Sequence, residues 1–227
     1  MKKIAYWDWR SEPLPDAGVV VCAPFAEDPG ERVGDPIAAD MSYRRDRHFV
    51  VPFADARDYE TWASEWVRRS MSPWGRHIIP ALHVERQADL AGLHGLLAVK
   101  ANLRALVCSP REDLDIFRAW GDPFRGPSGV AVPIDWILIV GGDEPMSPAH
   151  VRGIVEQARA AGVPVTFLGW GEYLPETQTL PRELRMSDAL GMNDEDIDGL
   201  CYLCVGRERS GALLDGEVID ERPEALR

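Results

Sequence analysis

Residues 134–173 read IDWILIVGGDEPMSPAHVRGIVEQARAAGVPVTFLGWGEY. The run 134–140 is almost wholly apolar and rich in β-branched residues, the pattern of a strand buried on both faces. Ser147 offers a cap, Pro148 suits the first helical position, and Val151, Ile154, Val155 and Ala158 repeat at helical spacing. Gly162 ends that helix, and a second apolar run, 163–168, closes on Gly169-Trp170-Gly171-Glu172. The segment is a βαβ unit, whose crossover helix makes its two strands parallel. Parallel α/β folds gather binding and catalytic groups at the C-terminal ends of such strands.

The same rhythm extends upstream. Apolar runs at 4–9, 18–24, 48–53, 77–82 and 103–108 predict strands, and helices are expected in 35–45, after Asp55, over 87–99 and over 112–120. In the helix after Asp55, Tyr59, Trp62, Ala63, Trp66 and Val67 form an aromatic stripe suited to core packing. Six to seven such units predict an α/β fold, a parallel (β/α) barrel or partial barrel. No strand runs into G-x-G-x-x-G, which argues against a dinucleotide-binding sheet. The barrel core is expected to span 1–173. Residues 174–227 are expected to add an irregular acidic segment and a β-hairpin, formed from 200–206 and 212–220, on the same domain.

A hydrophobic share of 45% is enough for an ordinary core. The net charge of −12 disfavours a general nucleic-acid surface. The N-terminus has lysines but no apolar stretch behind them, and no apolar run is long enough for a membrane span, so a cytoplasmic protein without a membrane partner is expected. Cys22 and Cys108 fall in apolar strands and read as buried thiols. Two local motifs are incomplete. Residues 194–199, DEDIDG, match the first half of a calcium loop, but Val205 stands where its glutamate should be. Cys201-x-x-Cys204 has no partner pair at zinc-site spacing.

The residues that close the strands give Ala23-Pro24, Asp55 and Arg57, His83 and Glu85, Ser109 and Arg111, Gly141 to Glu144, and Trp170 to Glu172. His83 and Glu85 stand two apart on an extended segment and point the same way. With Asp143 and Glu144 they are candidates for acid–base or metal-assisted chemistry, although no metal-ligand spacing joins them. Gly141, Gly142, Ser109, Arg111, Trp170 and Glu172 are candidate ligand-binding residues. The glycines would allow close backbone approach, and the helix starting near Ser147 favours an anion. Trp170 would either stack on a planar ligand or plug the barrel mouth.

These strand ends resemble a phage-associated family of unknown function, the phage gene-product thirty-seven / sixty-eight group, also described as three-cysteine-motif, radical-SAM-like proteins. The likeness is most specific over 134–173, against the family's D-W-V-I-V-G-G-E run, its A-A-G-V-P helix end and its W-G-E strand end. It continues in VGRERSGALLDG (205–216), similar to V-G-K-K-x-A-G-R-x-L-D-G. PALHVERQ resembles G-V-S-V-E-N, and ALVCSP resembles a strand ending in S-x-E-P. DWRSEPLP and VVVCAPFAED match more faintly. The resemblance implies a radical-SAM-like barrel from a phage or prophage.

Departures from the family pattern fall on its chemistry. The family carries three closely spaced cysteines, C-T-x-x-S-P-G-C-x-x-C, for an iron–sulfur cluster that binds S-adenosylmethionine. This chain has no cysteine before Cys22 and no close triad, and it reads as beginning after that motif. Arg57 is the one basic remnant of the family's L-T-K-R strand end, Leu168 replaces a lysine, Arg111 replaces a glutamate and Asp143 another. Glu85, Gly141, Gly142, Trp170 and Glu172 are retained. The expectation is a divergent member without cluster or S-adenosylmethionine, a pseudoenzyme acting as a binding or accessory protein for a protein partner or a small anionic or planar ligand. A second reading is the substrate half of a split enzyme whose partner chain brings the cluster. A third is a metal-assisted hydrolase or lyase using His83, Glu85, Asp143 and Glu144.

Overall fold

The computed structural model describes residues 3–7, 14–23, 41, 44–54, 75, 77–99, 101–117, 134–178, 194–197 and 199–227. Seven strands form one sheet: β1 (Ile4–Trp7), β2 (Val19–Cys22), β3 (His48–Phe53), β4 (Ile78–Val84), β5 (Ala105–Cys108), β6 (Trp136–Val140) and β7 (Val165–Gly169). They are hydrogen-bonded in sequence order, and every pair is parallel. The sheet curls until β1 and β7 approach each other, giving a nearly closed parallel barrel.

Alternation along the strands builds two apolar layers, as strand geometry requires. Val19, Val21, Val50, Ile79, Ala81, Ala105, Val107, Trp136, Leu138 and Val140 share one buried cluster inside the barrel, with Ile4, Tyr6 and Leu168 packed against it. The intervening residues, among them Cys22, Phe49, Leu82, Cys108, Ile137 and Phe167, face the outer layer. There the helix Pro148–Ala160 covers the sheet with Val151, Ile154, Val155 and Ala158, the face expected from its spacing. Gly162 follows it with φ +71°, a conformation suited to glycine at a helix end.

Two expectations need correction. Residues 87–98 are helical as a 3-10 turn, Gln87–Gly92, and a short α-helix, Leu93–Ala98, but 112–117 form turns instead of a helix. Glutamine side chains take over the hydrogen bonds a helix would make. Gln157 receives the Ile116 N–H and donates to the Leu114 carbonyl, and Gln87 does the same for the N–H and carbonyl of Asp115. The C-terminal part does add antiparallel hairpins to the barrel, as expected, but 200–206 and 212–220 do not pair with each other. Leu200–Cys204 lies between Tyr173–Pro175 and Asp194–Ile197 in an antiparallel sheet, while Leu213–Leu214 pairs with Glu217–Val218 across an Asp215-Gly216 turn. Residues Asp194–Ile197 of the DEDIDG motif are therefore a strand. The expected helices over 35–45 and after Asp55, together with Pro24, Arg57 and 118–120, lie outside the described residues, save for Met41, which is helical, and Arg44 and Arg45, which are not.

The C-terminal segment lies along the last barrel strand. Phe167 N–H donates to Ile219 O at 2.8 Å and Glu221 N–H to Val165 O at 2.9 Å, so 219–221 runs antiparallel along the edge of β7 that faces away from β6. Leu226 joins the inner cluster, and the Trp136 indole N–H donates to both Thr166 Oγ1 and Glu221 O. Among the described residues no helix is long and apolar enough to cross a membrane.

Candidate functional site

The C-terminal ends of β4, β5 and β6 surround a cavity of about 480 Å³, a volume typical of small-molecule sites. His83, Glu85, Ser109, Arg111, Gly141, Gly142, Asp143 and Glu144, all expected at the mouth, line it together. Their convergence follows from register. Parallel pairing sets His83 opposite Val107 and Val84 opposite Cys108, so consecutive strands stop at one level and deliver the residues after them to one end.

His83 ends the inward face of β4, and its Nε2 lies 3.3 Å from Ser109 Oγ. The single hydroxyl hydrogen of Ser109 goes to Val140 O at 2.7 Å. Oγ is therefore left to accept from His83 Nε2–H, and Ser109 orients the imidazole instead of being activated by it. Burial chiefly lowers the His83 pKa; Glu85 and Asp89 oppose that shift and Arg111 adds to it. The ring is consequently neutral near pH 7.

Arg111 organises the carboxylates. Its Nε lies 2.7 Å from Glu85 Oε2, a second nitrogen lies 3.3 Å from Oε1, and its remaining nitrogen pairs with Glu144. Asp89 Oδ2 accepts the backbone N–H groups of Glu85 and Arg86, which fixes the loop after β4. Among the described residues no group of three or more His, Cys, Asp or Glu side chains is placed to hold a metal ion. The guanidinium already supplies the positive charge that a metal reading would require at this point.

Trp170 and Glu172 do not line the cavity. Trp170 is fully buried in the outer core, edge-on to Phe167, with its indole N–H on Leu213 O, so stacking on a ligand is ruled out. Glu172 serves through its backbone, donating to Gly142 O and accepting from Val205 and Gly206. Gly141 likewise meets protein: a Cβ there would overlap the Trp170 carbonyl and Gly171 N. The cavity lining stops at Met146, short of the helix beginning at Pro148, so the expected anion site at that helix N-terminus is not part of it.

The sequence reading overlooked Tyr6, Asp89 and Arg207. Arg207 comes from the short helix Arg207–Ser210, donates to Gly141 O at 2.7 Å, lies 3.6 Å from Asp143 Oδ1 and sits 4.4 Å above the Tyr6 ring. Its place in the VGRERSG run similar to the family tail was the available signal, but nothing local says that this segment returns to the mouth. Tyr6 was legible as the inward partner of Ile4 on β1.

No curated protein and no solved structure matches the chain. A family model described as protein of unknown function (DUF5131) matches residues 46–223, which include five of the seven barrel strands, β3 to β7, and nearly all of the C-terminal segment. With most of its length matched, the chain belongs to that family, DUF5131.

Proposed function

We propose that this chain is a ligand-binding barrel derived from the phage-associated radical-SAM-like proteins, working as a binding or accessory protein without cluster chemistry. The placement of the cysteines carries the reading. Cys22 and Cys108 are fully buried on the outward faces of β2 and β5. Burial pushes the Cys108 thiol up to about 12 and raises the Cys22 thiol further, whereas cluster ligands must be thiolates. Cys201 and Cys204 lie three apart on one strand of the C-terminal sheet, hence on opposite faces. These four positions do not fit an iron–sulfur cluster at the mouth.

Two further observations support binding over the other readings. The mouth carboxylates are held by Arg111 in ion pairs instead of converging on a metal. The outer edge of β7, where a split enzyme would need a partner chain, is covered by 219–221 of the same chain. The test is iron and sulfide analysis after anaerobic reconstitution. Background levels of both are expected, and a stoichiometric cubane cluster would overturn the reading.

A further inference from the structure

We propose that Arg111 and Arg207 form an oxyanion-binding pair for a small molecule carrying a carboxylate or phosphate, and that Asp143 and Glu144 stand in for that anion. This rests on the reading of the chain as a ligand-binding barrel and names the chemistry of its ligand. Each guanidinium is anchored on one side and directed at the same acidic turn on the other. Arg111 is gripped by Glu85 through two nitrogens, and its third meets Glu144. Arg207 is gripped by Gly141 O and the Tyr6 ring, and its NH2 faces Asp143 Oδ1. Asp143 and Glu144 are neighbours in sequence, so one two-residue turn presents a carboxylate to each arginine. All four residues line the one cavity.

Exposure decides which partners yield. The Arg111 and Arg207 side chains are 32% and 30% exposed, against 92% for Asp143 and 61% for Glu144. Solvent already hydrates the two acids, and exposed ion pairs are weak, so an entering oxyanion displaces them at small cost. A cationic ligand would instead have to drive Arg207 off a carbonyl and a ring, and Arg111 off Glu85. Guanidinium forks also match carboxylate and phosphate geometry better than a point charge does.

The experiment titrates inorganic phosphate by calorimetry at pH 7 and constant ionic strength, with folding of each variant verified by thermal melting. Removing the internal competitors in Asp143→Asn/Glu144→Gln should tighten phosphate binding about three- to tenfold, the scale of an exposed ion pair. Arg207→Met should weaken it about tenfold, the scale of a charge-assisted contact. Glu217→Gln/Glu224→Gln removes the same charge far from the mouth and should leave affinity unchanged. Binding by the Asp143→Asn/Glu144→Gln protein no tighter than by that control, or no phosphate binding at all, overturns the oxyanion pair. Iron analysis of the same samples separates the two claims: a cluster sinks the binding-protein reading, while cluster-free protein indifferent to phosphate sinks only this inference.

Discussion

Gly141 and Gly142 are adjacent and chemically identical, yet their surroundings differ completely. A Cβ on Gly141 would strike the backbone of Trp170 and Gly171, whereas nothing lies within 4 Å of a Cβ on Gly142. The contact at Gly141 is with main chain held by hydrogen bonds from Gly141 N–H to Gly169 O and from Glu172 N–H to Gly142 O, so neither side gives way cheaply. Gly141→Ala should therefore cost about 3 kcal/mol or more. Gly142 lacks a positive φ, so Gly142→Ala should stay within about 1 kcal/mol of wild type. Urea denaturation of both variants checks this, and equal losses would refute it. The pair shows how far single residues are legible. His83, Glu85, Ser109 and Arg111 were readable because strand ends follow from apolar runs. The crossing partner of Gly141 lies about thirty residues away and leaves no local mark, so a packing glycine reads like a ligand-facing one. Trp170 is hidden for the same reason, because the carbonyl that receives its indole N–H belongs to Leu213, in a later segment of the chain.

Among elements, the helix Pro148–Ala160 was legible because proline, apolar spacing and final glycine all agree, although Ser147, at the N-cap position, makes no side-chain cap hydrogen bond. The stretch 112–117 was not, because glutamines from two other segments satisfy its backbone. The small hairpin at 213–218 is an intermediate case. Its Asp215-Gly216 turn, with φ +52° and +83°, is a standard two-residue signal, but its docking depends on the helix. Arg152 grips Asp215 through two hydrogen bonds of 2.6 and 2.7 Å, and Gln178 donates to the same carboxylate. These contacts, Arg152 foremost, lower the Asp215 pKa from 3.8 to about 2. Between those values the unfolded chain binds more protons than the folded one, so the contribution is complete above pH about 4 and is lost as pH falls through about 2. Both side chains are nearly half exposed, so the pair contributes only about 1 kcal/mol after screening. Asp215→Asn tolerates the left-handed backbone but removes the charge and, by turning one acceptor oxygen into a donor, one of the two Arg152 hydrogen bonds. It should lower stability by about 1 kcal/mol at neutral pH and converge with wild type as the pH approaches about 2. Urea midpoints across that range decide it, since a pH-independent gap would mean that the ion pair is not the cause.

At the scale of the whole molecule, the barrel was legible because near-continuous apolar strands joined by crossovers leave few other solutions. How the outer edge of β7 is covered was not, because the covering segment reads only as tail. Residues 219–221 bond to β7, and Leu226, 3% exposed, seats in the inner cluster with Trp136 and Ala105. Edge pairing and core filling thus come from different residues of one short segment. Leu226→Ala leaves the edge paired and empties only the core position, which should cost about 2–4 kcal/mol. Deleting 219–227 also strips the β7 edge and leaves Trp136 without its bond to Glu221 O. An uncovered strand edge templates pairing with other chains, so the deletion should produce oligomers or aggregates by size-exclusion chromatography with light scattering. Val218→Ser, at a residue 71% exposed beside this segment, should change neither property. A truncated chain that stays monomeric at wild-type stability would show that β7 and β1 close the barrel without the C-terminal segment.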